Sequence, residues 1–486
     1  MSLIVTQRPS TTISGNTSRW NAAKNPIVYK MIRKDFNITN VANSGGALQI
    51  TVNTNLTTLT TAQGGAVVAG SKIYVQSDDW FFYKKTLTVV SVTNAANSVV
   101  VFETGSWVGS GASTGFINLL QRSNYRVEVG IYAVQTFDIP ANSVRNNVLL
   151  STLSYSPDPS GILNIDVSTP LLNNLSPDNL ADYVTGFTVH DDRTINLTNL
   201  GNAYLSFYIR YVEKWTNSNE TETNDTANQF FALYGARQIG ELYGGNLAEY
   251  VNYENGTPLA LFLTKFTRPS IWRGYPFSIS TVTSDNVSTI SNFRIEYFDN
   301  TGASISSNAV AKVANSGKLL RLSPNNALPI PANAATVQIR YEKTALILSQ
   351  TITCEIKDAC SNPVLLWWRN SLGGDAFWMF EFNQSYSYRY DNGRKAKRYV
   401  LFASDLSLNE FDAINELNTL GEVYEPAITE LTPTVNKSQA RIGSQVYMMD
   451  ATGKKTGVIV IPTEVSTKTK FSKHKIQITI EMPEIY

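Results

Sequence analysis

Histidine, cysteine and charge are all scarce in this chain. Its 486 residues hold two histidines, two cysteines and 16% charged residues, against about 25% charged in an ordinary soluble domain. Each shortage excludes some chemistry. With only His190 and His474, histidine-based acid–base or metal sites lack most of their parts. Cys354 and Cys360 would need two further ligands to hold zinc, and both histidines are far away in sequence. The two cysteines are expected as free thiols. Forty basic against thirty-nine acidic residues leave a net charge of +1, so composition gives no positive field of the kind that neutralises phosphates. The one dense basic run, Arg394-Lys395-Ala396-Lys397-Arg398, reads as a solvated turn beside a strand, with DNA contact as the alternative. No apolar run approaches the ~20 residues of a membrane helix, and the start lacks the charged and apolar regions of a secretory signal. A soluble protein made in a cytoplasm is the expectation. No phosphate-binding loop, dinucleotide fingerprint or H-E-x-x-H stretch is present, so no catalytic, cofactor or metal residue is assigned.

Period-two alternation fills much of what remains. Tyr125, Val127, Val129 and Ile131 alternate with Arg126, Glu128 and Gly130, which places one face in a core and one in solvent. Phe293–Tyr297, Val337–Tyr341 and Ile476–Ile480 repeat the pattern, and Asn94-Ala95-Ala96-Asn97 and Asp299-Asn300-Thr301-Gly302 read as turns. Strands this closely spaced predict a mainly β protein of several antiparallel sandwich or barrel-like domains. One or two short helices are expected near the C-terminus. The better one spans 407–420, where Ser407 and Glu410 form a capping box and Phe411, Ile414, Leu417 and Leu420 fall three apart. A second, shorter candidate runs from Asn246 to Tyr253, after Gly244-Gly245. Turn clusters suggest an N-terminal β domain over 1–160, a central β-rich domain over 161–350 and a C-terminal β domain over 351–486. The polar, acidic run within 216–228 has nothing apolar to bury and is expected as an exposed loop.

The remaining polar candidates are weak. His190-Asp191-Asp192 is expected to be a polar turn closing at Arg193. Asp78-Asp79 are adjacent on one strand, where neighbouring side chains point oppositely, which does not suit a paired-carboxylate hydrolase. Trp20, Trp107, Trp215 and Trp272 could stack on sugars if exposed, or serve as core.

The densest signal is Cys354 to Phe382, CEIKDACSNPVLLWWRNSLGGDAFWMFEF. It predicts two strands, 364–370 and 376–382, joined through paired glycines that supply a positive φ. Trp367, Trp368 and Trp378 put aromatic surface on both faces, so this hairpin with Gly373 and Gly374 is the candidate packing or interface element. Its cover is either its own domain or another copy. The pattern of Cys, then Asn-Pro, then an apolar run ending in Trp-Arg-Asn, then Leu-Gly-Gly, resembles tail and ring proteins of tailed bacteriophages infecting Bacteroidetes, including the crAss-like phages. Two further blocks carry the resemblance, Phe230–Val251 and Phe262–Ser280, with an echo at Asn25-Pro26-Ile27-Val28-Tyr29. The resemblance implies a non-enzymatic virion protein assembled in the host cytoplasm. It would form a ring-like homo-oligomer in the tail, neck or baseplate, joined to other tail or portal/neck proteins, without membrane or direct nucleic-acid contact. A receptor- or glycan-binding tail protein is the alternative, followed by a polysaccharide depolymerase.

Overall fold

A computed structural model describes residues 3–13, 15–77, 84–104, 115–134, 147–175, 187–191, 204–216, 218–219, 222–225, 229–237, 240, 242–251, 260–282, 292–311, 319–324, 330–343, 346–347, 349–388, 411–419, 446–452, 455–461 and 476–483. The chain is mainly β, in several antiparallel sheets and two closed barrels. Two compact units divide it, where turn composition suggested the blocks 1–160, 161–350 and 351–486. One unit comprises Met1–Pro9, Pro26–Leu171 and Ser206–Phe231; the other comprises Ser10–Asn25, Leu172–Leu205 and Ala232–Tyr486. Both are interleaved because sheet pairing joins segments far apart in sequence, which loop composition does not register.

The first unit contains a six-stranded barrel built from Phe36–Ser44, Ala47–Val52, Lys72–Ser77, Lys85–Val92, Val99–Thr104 and Gly115–Leu119. Closure leaves no free sheet edge. Ile50, Val52, Ile73, Val100, Phe102 and Ile117 fill it. The same unit has a three-stranded sheet, Leu3–Gln7, Val28–Arg33 and Ile162–Asp166. In a third sheet Arg126–Val134 lies between Asn147–Tyr155 and the 204–215 strand, with Val127, Val129 and Ile131 buried as the alternation requires.

In the second unit a six-stranded sheet carries Phe293, Ile295 and Tyr297 on one strand and Val337, Ile339 and Tyr341 on the next, all buried. The second barrel runs Pro363–Arg369, Asp375–Tyr388, Phe411–Thr419, Ile476–Pro483, Lys455–Ile461 and Val446–Met449 before closing on its first strand. The helix expected over 407–420 is therefore absent where that stretch is described: Phe411–Thr419 pairs with a strand on each side. Asp412, Asn415, Asn418 and Thr419 are weak helix formers. Two ladders satisfy the backbone groups along the strand, and barrel closure outweighs the capping signal. The α-helix among the described residues is Ser168–Leu172, away from the C-terminus.

The polar run at 216–228 also departs from expectation. Ser218–Asn219 and Thr223–Asn224 fold back onto the 204–215 strand. Asp225 is buried and accepts from Arg8 Nε at 3.0 Å and Nη2 at 3.1 Å. The described residues of this run are thus held by ladder hydrogen bonds and two ion pairs, Asp225 with Arg8 and Glu222 with Arg210 at 3.6 Å. Asp225→Asn keeps the shape and removes the charge, and should destabilise the protein by about 1.5–3 kcal/mol, the range of a hydrogen bond to a charged group. Urea unfolding checks this; an unchanged midpoint would restore the exposed-loop reading.

Candidate functional site

The three blocks singled out in the sequence meet at one place in the second unit, the turn Asn370–Gly374. Arg369 and Asp375 are paired across the hairpin. Asn370 Oδ1 accepts from the backbone N–H groups of Leu372 at 2.9 Å and Gly374 at 3.0 Å, which fixes the turn. Its Nδ2 donates to the Leu263 carbonyl at 2.8 Å. On another side the Ala236 N–H donates to the Ser371 carbonyl. Gly373 has φ of 84°, and a Cβ there would lie 2.6 Å from the Tyr234 carbonyl oxygen. A Cβ on Gly374 would lie 2.0 Å from the Leu263 carbonyl oxygen, and one on Gly235 would lie 2.9 Å from the Leu372 carbonyl carbon. Residues 234–236, Leu263 and the hairpin turn touch backbone to backbone, with no room for side chains between them.

Charge is buried in this knot. Arg369 Nη1 lies 3.0 Å from Asp375 Oδ1, with side-chain exposures of 2% and 0%. The same nitrogen donates to the Gly373 carbonyl at 3.1 Å, and the Ser278 hydroxyl donates to Asp375 Oδ2. Removing either ion would leave its partner buried and uncompensated. Around this centre Trp378 stacks on Phe266 at 6.0 Å and meets Trp272 edge-on at 5.7 Å, while Trp367 lies 5.3 Å from Tyr447. Trp367, Trp368 and Trp378 are all buried, so the cover for this hairpin comes from its own unit. Beside it is a cavity of about 10 Å³ lined by Phe266, Phe277, Ser278, Asp375, Phe377 and Trp378, room for one water.

The arrangement is a packing centre. Ser278 and Asp375 have Arg369 rather than a base beside them. His190 and Asp191 lie in the strand Phe187–Asp191, opposite Arg321 and Leu320, and not in the turn expected there; the ladder with Leu319–Pro324 extends through both. Asp192, Arg193, Asp78, Asp79, Trp107, His474 and the basic run at 394–398 lie outside the described residues. Among the described residues no three His, Cys, Asp or Glu side chains gather to hold a metal. Cys354 is buried and in no disulfide, its thiol pushed up by burial; Cys360 is in no disulfide either, and its thiol donates to the Phe380 carbonyl at 3.6 Å. Trp20, Trp215 and Trp272 are buried as well, so they give a sugar no open stacking face.

Sequence reasoning missed the rim of the knot. Residues 22–25 are laced to the 233–245 segment: Ala23 N–H donates to the Leu233 carbonyl at 2.8 Å and Lys24 N–H to the Gly235 carbonyl at 2.9 Å. Asn25 accepts from Arg237 N–H at 2.6 Å and donates to its carbonyl at 3.0 Å. Asn246, expected to cap a helix, instead donates to Ser18 and Asn21, at 3.3 and 3.2 Å. Only the short 3-10 turn Ala248–Tyr250 follows. Lys24 places its ammonium 4.3 Å from the Tyr234 ring centroid, and burial pulls the amine down to about 8. The one sequence signal was the Asn25–Tyr29 echo next to it.

A second buried polar cluster lies in the first unit. Asp35 receives Arg33 at 2.5 Å and Arg122 at 3.3 Å, and Leu119 N–H donates to it at 2.8 Å. Glu213 accepts from the Tyr125 hydroxyl at 2.7 Å and the Leu3 N–H at 3.3 Å. Burial and the facing Glu213 carboxylate push the Tyr125 phenol upward. Two arginines against two carboxylates tie the end of the barrel to its neighbouring strands.

Two predictions follow from this geometry. Gly374→Ala should cost more than about 4 kcal/mol or abolish folding, because backbone cannot yield to a 2.0 Å approach. Gly302→Ala, at a φ of 85° with open space around it, should cost only about 1–2 kcal/mol. Equal losses of melting temperature in the two variants would refute the close-packed turn. For Lys24, both folded and unfolded chains carry the proton below pH 8. Between about 8 and 10.5 only the unfolded chain does, so stability should rise across that window. The wild-type rise should exceed that of Lys24→Met by roughly 1–3 kcal/mol; identical pH profiles would contradict the desolvated amine.

No protein-family profile and no curated protein sequence matches the chain.

Proposed function

We propose that this chain is a non-enzymatic structural subunit of a tailed-bacteriophage virion. It closes with copies of itself into a ring in the tail, neck or baseplate and joins neighbouring tail components there. The virion setting comes from the resemblance of the three blocks that meet at the Asn370–Gly374 turn. The observation that carries the assembly role is a pair of open sheet edges. Asn147–Tyr155 and Ser304–Ala311 each end their sheet, bonded on one side only among the described residues. Neither strand contains a charged residue or a proline, the usual guards against unwanted pairing. Leu149, on the first of them, is 50% exposed. Such edges accept a strand from another chain through main-chain hydrogen bonds, with side chains setting register. Two different edges suit a heterologous contact, in which unlike surfaces meet and rotation closes a ring.

Sedimentation velocity with negative-stain imaging of the purified chain tests this. Concentration-dependent closed rings are expected. Placing lysines at the edge, Ser307→Lys with Ala309→Lys, should weaken association by about tenfold or more without lowering the melting temperature. A chain that stays monomeric at every concentration would sink the ring reading, and association unaffected by edge lysines would remove the 304–311 edge from it.

A further inference from the structure

We propose that Lys24, seated on Tyr234, is the binding position for a carboxylate carried by a second copy of this chain. The inference rests on the ring reading and assigns one of its contacts. Lys24 is held in place before any partner arrives. Ala22 N–H donates to the Gly245 carbonyl at 2.8 Å, Lys24 N–H to the Gly235 carbonyl at 2.9 Å, and Asn25 brackets the backbone of Arg237. The ammonium lies 4.3 Å from the ring centroid of Tyr234, an attraction that orients the cation but brings no negative charge.

Its neighbours show what is missing. Arg237, in the same clamp, has Glu249 at 3.4 Å and donates to the Asn246 carbonyl at 2.9 Å. Lys24 has no carboxylate among the described residues; burial acts on it without an opposing ion. A half-buried ammonium without a counter-ion opposes folding, and a carboxylate that joins it recovers the loss. Because the backbone is already fixed, little ordering accompanies the contact. Leu242, three residues before Gly245 in the chain, is 80% exposed. A cation two residues after Ala22 and apolar surface three residues before its partner Gly245 suit a protein partner better than a free small acid. A second copy fits that description: the chain has thirty-nine acidic residues and a net charge of +1, so copies do not repel, and a heterologous ring repeats one cation–carboxylate contact at every junction.

The test is zero-length cross-linking of mixed ¹⁴N- and ¹⁵N-labelled full-length chain with a water-soluble carbodiimide. The reagent activates a carboxylate, the neutral lysine amine attacks the acyl carbon, a urea leaves, and an isopeptide remains. Peptides joining Lys24 of one isotope to an Asp or Glu of the other are expected. Lys24→Gln should weaken self-association by about tenfold while Lys24→Arg stays within about threefold of wild type. The melting temperature of isolated Lys24→Gln should not fall. Assembled copies without an inter-copy Lys24 isopeptide, or with association indifferent to Lys24→Gln, would overturn this contact and leave the ring reading standing. A wild-type chain that never associates would overturn both.

Discussion

The buried turn at Asn370–Gly374 is the constraint on which the second unit depends. Three backbones approach so closely that three positions exclude a Cβ: Gly235, Gly373 and Gly374. Such an approach is favoured to the extent that the polar groups inside it are satisfied, because each orphaned buried N–H or ion opposes the packing. Asn370 meets that requirement by bonding two N–H groups of its own turn and one carbonyl of another segment. Arg369 and Asp375 meet it in part, through each other and through Gly373 and Ser278, while Arg369 Nε and Nη2 make no hydrogen bond among the described residues. The aromatic residues around them are thereby fixed in place, and the hairpin is core and not contact surface.

Both units use the same device. In each, a few ions and amides are buried where chain segments of distant sequence converge, at Asp35 and Glu213 in one and at Asp375 in the other. Such networks give little net stability relative to apolar packing, yet strongly penalise any arrangement that leaves a member unpaired. That penalty selects one set of partners among the many that strands of similar length and polarity could form. In a chain with so many strands, register is the harder problem, and buried ions address it.

How much of this was legible varied with the range of the interaction. Alternation at Val127, Val129 and Ile131, or at Val337, Ile339 and Tyr341, reports a local fact about one strand, and the burial follows it. The glycines of the hairpin were readable because a turn is local, and Gly373 has the positive φ they suggested. The close approach of Leu263 and Tyr234 to those glycines was not readable, since nothing near Gly374 encodes what sits on it. The strand Phe411–Thr419 shows the same limit in reverse: a capping box and a three-residue spacing were real local signals, overruled by two distant ladders. Asp225 and Lys24 form a matched pair of omissions. One acid was taken as solvated because its partner, Arg8, lies more than two hundred residues away; one lysine drew no notice because a missing counter-ion leaves no mark in sequence.

The second barrel closes through ladders between segments made at quite different times. Pro363–Arg369 pairs with Val446–Met449, and Phe411–Thr419 pairs with Ile476–Pro483. During synthesis the first hairpin emerges long before the strand that completes the cylinder, and until then the ends of a partial sheet are open to any other nascent chain. Long-range closure of this kind is slow to form and vulnerable while incomplete. The knot at residue 370 draws on segments 233–236, 263 and 278, all of which precede the hairpin in the chain. It can therefore form first and hold the earliest barrel strands while the later ones arrive, so that order of emergence from the ribosome itself guards against premature association.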